Sequence, residues 1–386
     1  FADKVRQAGL GFGFWVEFEF FSSRSRIVQE KPHWFFNSEH PDIVVPRTWI
    51  PEVEEMLVQS FAEVIRRYKA VFIKNDMNHS QGYDPAHLYR YQQGVARIMG
   101  RLREMFPEVT FEHCASGAMR HAAGPMLDAF DTHFISDNAA PLDCLRIAAN
   151  QALRFPVGRI SRWYVGSELH HANEASQSER RIVQPQLATW NTYQAEDLHF
   201  GLLSNLTGIL GFSCDLASFS PENRRIMAEY TAFYKSIRQH CAQAEMHMLT
   251  APECFDKRRG WLAMQITLPT IDTHLCYAFH YVADGDERRF FHLKELDAAG
   301  KYTVSTIFPE RKLLASEVTG RELMNKGLEV CFSYDQQLSA FKGQLIRILK
   351  TTFFEKRCVF QQNRFAIRKN AVIVSPADGK SSKTIF

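Results

Sequence analysis

The stretch PEVEEMLVQSFAEVIRRYKAVFIKNDMN, residues 51–78, holds one complete helix-to-strand unit and decides how the rest of the chain is read. Pro51 and the acidic Glu52, Glu54 and Glu55 suit a helix start, because proline's fixed φ fits the first turn and negative charge favours the N-terminal end of the helix dipole. Val53, Met56, Leu57, Phe61, Val64 and Ile65 recur at helical spacing and make an apolar stripe that must face a core. Arg66, Arg67 and Lys69 close the last turn. Ala70 to Ile73 follows, apolar and too short for a helix, and then the polar Lys74, Asn75, Asp76, Met77 and Asn78. This is a buried strand with a chemical tip.

A second unit comes next, with Leu88, Tyr91, Val95, Ile98, Leu102 and Phe106 as the helical stripe and Val109 to Cys114 as the strand. From Gly9 to about His240 such units repeat, and six strands are expected to end near Glu17, Asp76, Cys114, Asp137, Ser167 and Asp215. The pattern predicts an α/β chain of the (β/α)8 TIM-barrel type, with its site at the C-terminal ends of the strands. Six strands leave the barrel short of its first ones, and an opening at Phe1 in place of Met predicts an N-terminally truncated chain. An open doubly wound sheet would carry a glycine-rich phosphate loop after its first strand, whereas Gly9, Gly11 and Gly13 precede theirs and fit a tight entry into it.

Beyond Glu245 the periodicity changes to alternation, over Trp261–Thr267, His274–Tyr281, Tyr302–Val304, Leu328–Phe332 and Leu345–Ile348. A small antiparallel β-sandwich is expected there. The predicted division is a barrel over 1–244, a β domain over 245–350 and a basic tail over 351–386 with no assigned role.

The net charge of +3 is dispersed, so no basic stripe marks a nucleic-acid partner and a neutral small molecule is the expected substrate. The eight Cys include no C-x-x-C pair and no zinc-type spacing with His, which predicts reduced, packed thiols and no metal. No apolar run approaches the roughly 18 residues of a membrane span, and the cytoplasm is the default setting.

Alternation along a strand puts Lys74 and Asp76 on one side, with Asn78 joining them if the chain stays extended. A lysine close to an aspartate lowers its pKa by about 1–3 units, and an ionised carboxylate is what a glycosidase nucleophile requires. By itself the pair reads equally well as a structural ion pair. Asp137, after the short apolar run His133–Ser136, supplies a second carboxylate at a strand tip. Retaining glycosidases use two carboxyl groups about 5–5.5 Å apart, one attacking the anomeric carbon and one protonating the leaving oxygen. Between them Cys114, Ser116, Gly117 and Arg120 form a small-residue turn that lets a sugar approach the backbone.

Four ordered segments then resemble glycoside hydrolase family 36, the melibiase-type α-galactosidases: FGFWVEFEF at 12–20, FIKNDMN at 72–78, EHCASGAMR at 112–120 and SDNAAPLDCLRI at 136–147. Leu323, Met324, Gly327, Leu328 and Val330 resemble the family's C-terminal β-domain motif. The resemblance implies retaining hydrolysis of terminal α-galactosides of the raffinose or melibiose type, with Asp76 as nucleophile and Asp137 as acid/base. It implies that Trp15, Lys74, Asn78, Cys114 and Gly117 touch the sugar, that Arg120 supports the turn, and that no cofactor is needed. A galactosyl transferase of the raffinose-synthase type and a catalytically silent carbohydrate-binding relative are the alternatives, and the family's frequent oligomerisation leaves a homo-oligomer open.

The chain departs from the family at Asn75, where Trp is usual and which would alter a wall near the nucleophile, at His79 in place of Arg, and at Ala139 and Ala140 in place of polar residues. The tandem Asp pair that the family uses for the galactose 4- and 6-hydroxyls would lie on a strand before Phe1.

Other candidates carry less. His170 and His171 are adjacent and would face different sides of an extended chain, as would His113 and Cys114, which otherwise suggest a metal or a thiol nucleophile. Asn78-His79-Ser80 and Asn205-Leu206-Thr207 fit the glycosylation sequon. Trp34 and Trp49 offer stacking faces but are expected in the core.

Overall fold

The computed structural model describes residues 1–78, 85–117, 120, 128–136, 138–151, 153–170, 180–185, 193–195, 198–251, 260–281, 288–332 and 341–350. Two units emerge, one of Phe1–Asn138 with Arg159–Arg162, the other of Ala139–Gly158 and the described residues from Trp163 to Lys350.

The first unit repeats what residues 51–78 announced. Strand β1 (Gly13–Val16) is followed by helix α1 (Pro51–Tyr68), strand β2 (Phe72–Asn75), helix α2 (Pro85–Met105), strand β3 (Thr110–His113) and strand β4 (Thr132–Phe134). Each strand runs parallel to the one before it, and the first residues of β5 (Ile160–Tyr164) continue the set beside β4. Helix α1 ends where Lys69 turns left-handed at φ 49° and its N–H reaches Ile65 O. Its buried face is Val53, Leu57, Val58, Phe61, Ala62 and Ile65, so the stripe is rotated from the expected one, with Met56 and Val64 half-buried at its margin. On α2, Tyr91, Val95, Ile98 and Leu102 are buried as expected, but Leu88 is 38% exposed. These faces close on Ile73 and Phe111 to form one core, each large side chain contributing about 1.5–3 kcal/mol by burial.

The register matters for chemistry. Trp15 pairs with Lys74, Lys74 with Glu112, and Glu112 with Thr132, so these four side chains project to one side of the sheet. Asn75, His113 and His133 are the register partners one step on and project to the other side. Gly13 lies so close to Phe72 that a Cβ there would sit 2.8 Å from both its carbonyl oxygen and its Cβ, which explains a glycine at the entry to β1.

In the second unit, helices α3 (Pro141–Gln151), α4 (Leu198–Asn205) and α5 (Pro221–Ile237) accompany the end of β5 and strand β6 (Ile209–Phe212). The parallel strands follow one another in chain order, β1 to β6, as a partial (β/α) barrel requires. One strand ends earlier than expected. The chain leaves β5 at Tyr164, whose carbonyl accepts from Ser213 N–H at 2.9 Å, and Ser167–His170 instead pairs antiparallel with Arg180–Val183. The expected end near Ser167 mistook the start of this new sheet for the tip of the old strand.

Strands β7 (Glu245–Met248), β8 (Gly260–Leu268), β9 (Thr273–Tyr281), β10 (Arg288–Phe291), β11 (Lys301–Phe308), β12 (Lys312–Thr319), β13 (Leu328–Cys331) and β14 (Phe341–Lys350) follow. Six make an antiparallel sheet in the order β7-β8-β9-β14-β11-β12, and β10 pairs with β13. Leu262, Met264, Leu275, Tyr277 and Phe279 pack with residues of α4 and α5. The alternate positions, Trp261, Ala263, Cys276 and Ala278, pack with Phe291, Leu328 and Val330 of the two-stranded pair. Among the described residues no helix is long and apolar enough to cross a membrane.

Candidate active site

The tips of β1, β2 and β3 are held level by the ladder itself. Asp76 N–H donates to Val16 O at 2.9 Å and Cys114 N–H donates to Asn75 O at 2.8 Å, so the parallel pairing runs one residue past each strand. Asp76 therefore stands beside Trp15 and Cys114. It is 4% exposed, and its carboxylate collects donors from three segments. Trp15 Nε1–H at 2.9 Å and Asn78 Nδ2–H at 3.0 Å reach Oδ2, while Met77 N–H at 2.7 Å and Ser116 N–H at 3.1 Å reach Oδ1. Burial alone pushes the acid up, but the bonds from Trp15, the Cys114 thiol, Met77 and Ser116 outweigh it and hold the carboxyl below its ordinary 3.8. The group is an anion at neutral and mildly acidic pH.

Lys74, the cation expected to help hold that charge, stands on the same face of the sheet, opposite Trp15 in the register. The Lys74 ammonium lies over the Phe134 ring, 3.4 Å from its centroid, and its charge bears on Glu112 and Cys114. Hydrogen bonds from Trp15, Cys114, Met77 and Ser116 are the leading influences that favour the Asp76 anion. Cys114 is the packed thiol expected: burial, with the Asp76 charge adding to it, pushes it up to about 12. It is a neutral donor, unsuited to nucleophilic attack or metal binding at neutral pH. His113 faces away from it, its ring 4.6 Å from that of Phe130, as alternation requires.

The turn after β3 is built for its backbone donors. Ser116 at φ 49° and Gly117 at φ 83° are both left-handed, which aims Ser116 N–H at Asp76. Gly117 tolerates that conformation freely, whereas Ser116 holds it at a cost of about 1 kcal/mol.

Two acids beside this cluster escaped the sequence reading. Glu17 Oε1 accepts from Asn78 N–H at 2.9 Å and from Asn78 Nδ2–H at 2.7 Å. Glu112, the register partner of Lys74, is 1% exposed and pushed up by burial, with the Lys74 charge and hydrogen bonds from Ser161 and Thr132 opposing that shift. A signal for each existed, since Glu17 is two residues from Trp15 and Glu112 two from Cys114, the spacing that returns a side chain to the same face.

Behind the strand sits a second acid cluster. Arg120 grips Glu19 with both terminal nitrogens, at 2.6 and 2.7 Å, and Tyr91 Oη–H and Asn75 Nδ2–H also donate to Glu19. Asn75 therefore points away from Asp76, and the expected change to the wall near the nucleophile does not occur. Arg120 ties the turn that carries Ser116 and Gly117 to the chain after β1. Asp137, the expected acid/base, and His79 lie outside the described residues, as does His171. Asn205 of the second sequon is 1% exposed and donates to Gly201 O at 2.8 Å, which leaves it inaccessible to modification. Trp49 stacks on Phe36 and His87, a core position as expected.

Parallel strands alternating with helices, and an anionic carboxylate hydrogen-bonded at a strand's C-terminal end, define a (β/α)-barrel chain with a strand-tip site. The family model described as Melibiase matches residues 1–244, well over half of the chain, and the chain belongs to that family. It is 23% identical over 267 residues to the α-galactosidase AgaA of Geobacillus stearothermophilus, a match covering 65% of this chain and 34% of that protein. The crystal structure of a doubly substituted form of that enzyme in complex with raffinose superposes with a TM-score of 0.72 at 20% identity, over 91% of this chain and 46% of the other. The α-galactosidase from Lactobacillus brevis gives 0.73 at 22% identity, over the same shares. The chain thus spans less than half the length of these relatives.

Proposed function

We propose that the chain carries the nucleophile half of a retaining α-galactosidase site, with Asp76 attacking the anomeric carbon of a terminal α-galactoside. Asp137 protonates the departing oxygen and then takes a proton from the water that releases the sugar. The observation that carries this reading is the Asp76 carboxylate, kept anionic by Trp15, Cys114, Met77 and Ser116 although it is nearly buried. Lys74 supplies positive charge on the same face, Asn78 and the Gly117 turn receive the sugar, and no cofactor enters. Raffinose-type oligosaccharides are the substrates we assign, in keeping with the ligand named for the Geobacillus structure.

The domain reading is a barrel over 1–244, the span of the family match, followed by a β-sandwich over 245–350. The packing of the six-stranded sheet against the β10-β13 pair supports the sandwich. A reducing, cytoplasmic setting is supported by six cysteines of the described residues, all free.

The test is turnover of an aryl α-galactoside by the chain and by Asp76→Ala and Asp137→Ala. Either substitution should reduce kcat by about 10³-fold or more, and the first product released should keep the α configuration. Undiminished turnover in Asp76→Ala would sink the assignment. Transfer to an added sugar in preference to water would point to the transferase instead.

A further inference from the structure

Glu17 takes no part in the chemistry just described, yet it shares a partner with Asp76. The Asn78 side-chain nitrogen lies 2.7 Å from Glu17 Oε1 and 3.0 Å from Asp76 Oδ2, so its two N–H bonds are divided between two carboxylates. The Asn78 main-chain N–H, at 2.9 Å, goes to the same Glu17 oxygen. An amide has one donor end and one acceptor end, and only the donor end is tolerated between two acceptors. Turning it over would set Asn78 Oδ1 against both carboxylates.

We propose that Glu17 is a positioning residue that locks the Asn78 amide with its nitrogen toward Asp76, which leaves Asn78 Oδ1 as the acceptor for one hydroxyl of the sugar. The inference rests on Asp76 as nucleophile for its functional part, while the locking itself is a property of the free protein. Asp76 alone would orient the amide weakly, because it already has four other donors. Glu17 has only Asn78 among the described residues, and it holds that residue at two points. The chain past β2 and the amide orientation are thereby set together, before any sugar arrives.

Two measurements test this, one of them independent of turnover. In protein labelled with 15N-asparagine, the Asn78 side-chain amide is identified by its loss in Asn78→Asp. Glu17→Ala should move that signal and speed its exchange with solvent by about tenfold, whereas Glu17→Gln, whose carbonyl still accepts, should restore most of the original signal. An unchanged Asn78 amide in Glu17→Ala overturns the lock, whether or not the chain is active. The second measurement is kcat/KM on an aryl α-galactoside and its 2-, 3-, 4- and 6-deoxy analogues. Asn78→Ala and Glu17→Ala should each erase about tenfold of the penalty at the same single position, the double variant no more than either, and Glu17→Gln should keep it. A deoxy profile that changes in Asn78→Ala but stays at its original shape in Glu17→Ala overturns the proposed role. Failure of every α-galactoside to react in the unsubstituted chain counts against the proposed activity and leaves the amide measurement to judge the lock.

Discussion

Glu17 and Glu19 stand two residues apart after the same strand, and they have opposite fates. Glu19 is fully buried, gripped by Arg120 from 101 residues away and completed by Tyr91 and Asn75. Glu17 is half-buried and holds Asn78, beside Asp76. Strict alternation would put both on one side. The turn at Phe18 and Glu19, with Phe18 driven edge-on against Phe61 at 5.0 Å, breaks the alternation and sends them to opposite sides of β2. The difference separates scaffold from chemistry. A buried carboxylate with a bidentate guanidinium has all its lone pairs committed and holds two loops together. One held by Asn78 alone among the described residues, at a strand tip, instead fixes the partner that stands beside Asp76.

The largest effect expected from breaking this contrast is at the scaffold. Arg120→Met leaves the Glu19 charge buried without its cation and should destabilise the fold by about 3–5 kcal/mol, seen in urea unfolding. Adding Glu19→Gln should recover part of that loss, and a single variant as stable as the parent would show that Arg120 is replaceable.

Next comes the chemical side. Trp15→Phe removes a donor that favours the Asp76 anion, so the Asp76 carboxyl should rise and the acid limb of kcat/KM should move to higher pH. The sign follows from a depressed carboxyl: its contribution is present above the ordinary 3.8 and is lost as pH falls through the lower folded value. A shift of the limb to lower pH would contradict the role given to Trp15.

Cys114→Ser keeps a donor toward Asp76 and should stay within several-fold of the parent in turnover, whereas Cys114→Ala should move the acid limb as Trp15→Phe does. With its thiol near 12, Cys114 should also resist iodoacetamide at pH 7, read by mass spectrometry. The smallest effect lies on the surface. Glu54 bridges Arg97 at 2.9 Å and Arg101 at 3.3 Å between α1 and α2, and Glu54→Ala should cost no more than about 1 kcal/mol and leave turnover unchanged.

Helix α1 and strand β2 were legible because apolar spacing is written into consecutive residues, and the error there was one of rotation, Val58 and Ala62 taking the place of Met56 and Val64 at the centre of the buried face. Five of the antiparallel strands were legible for the same reason, with ends displaced by a few residues, whereas Glu245–Met248, Arg288–Phe291 and Lys312–Thr319 were not singled out. The strand near Ser167 was misplaced because its hydrogen-bonding partner changes from Ser213 to Arg180–Val183, which no local pattern records. Asp76 and its neighbours were found through ordered motifs, but Glu17 and Glu112 were passed over because single acids near strand ends look like ordinary surface charge.

By itself the sequence determined the parallel strand-and-helix units, the change to an antiparallel sheet beyond Glu245 and the membership signalled by its four motifs. Tertiary structure alone decided which groups keep Asp76 ionised, that Asn75 turns its back on the site and that Glu19 belongs to Arg120. The reason is range. Apolar periodicity links residues three or four apart, whereas the Asp76 carboxylate is set by Trp15, 61 residues before it, and Ser116, 40 residues after it, brought together only when the strands pair.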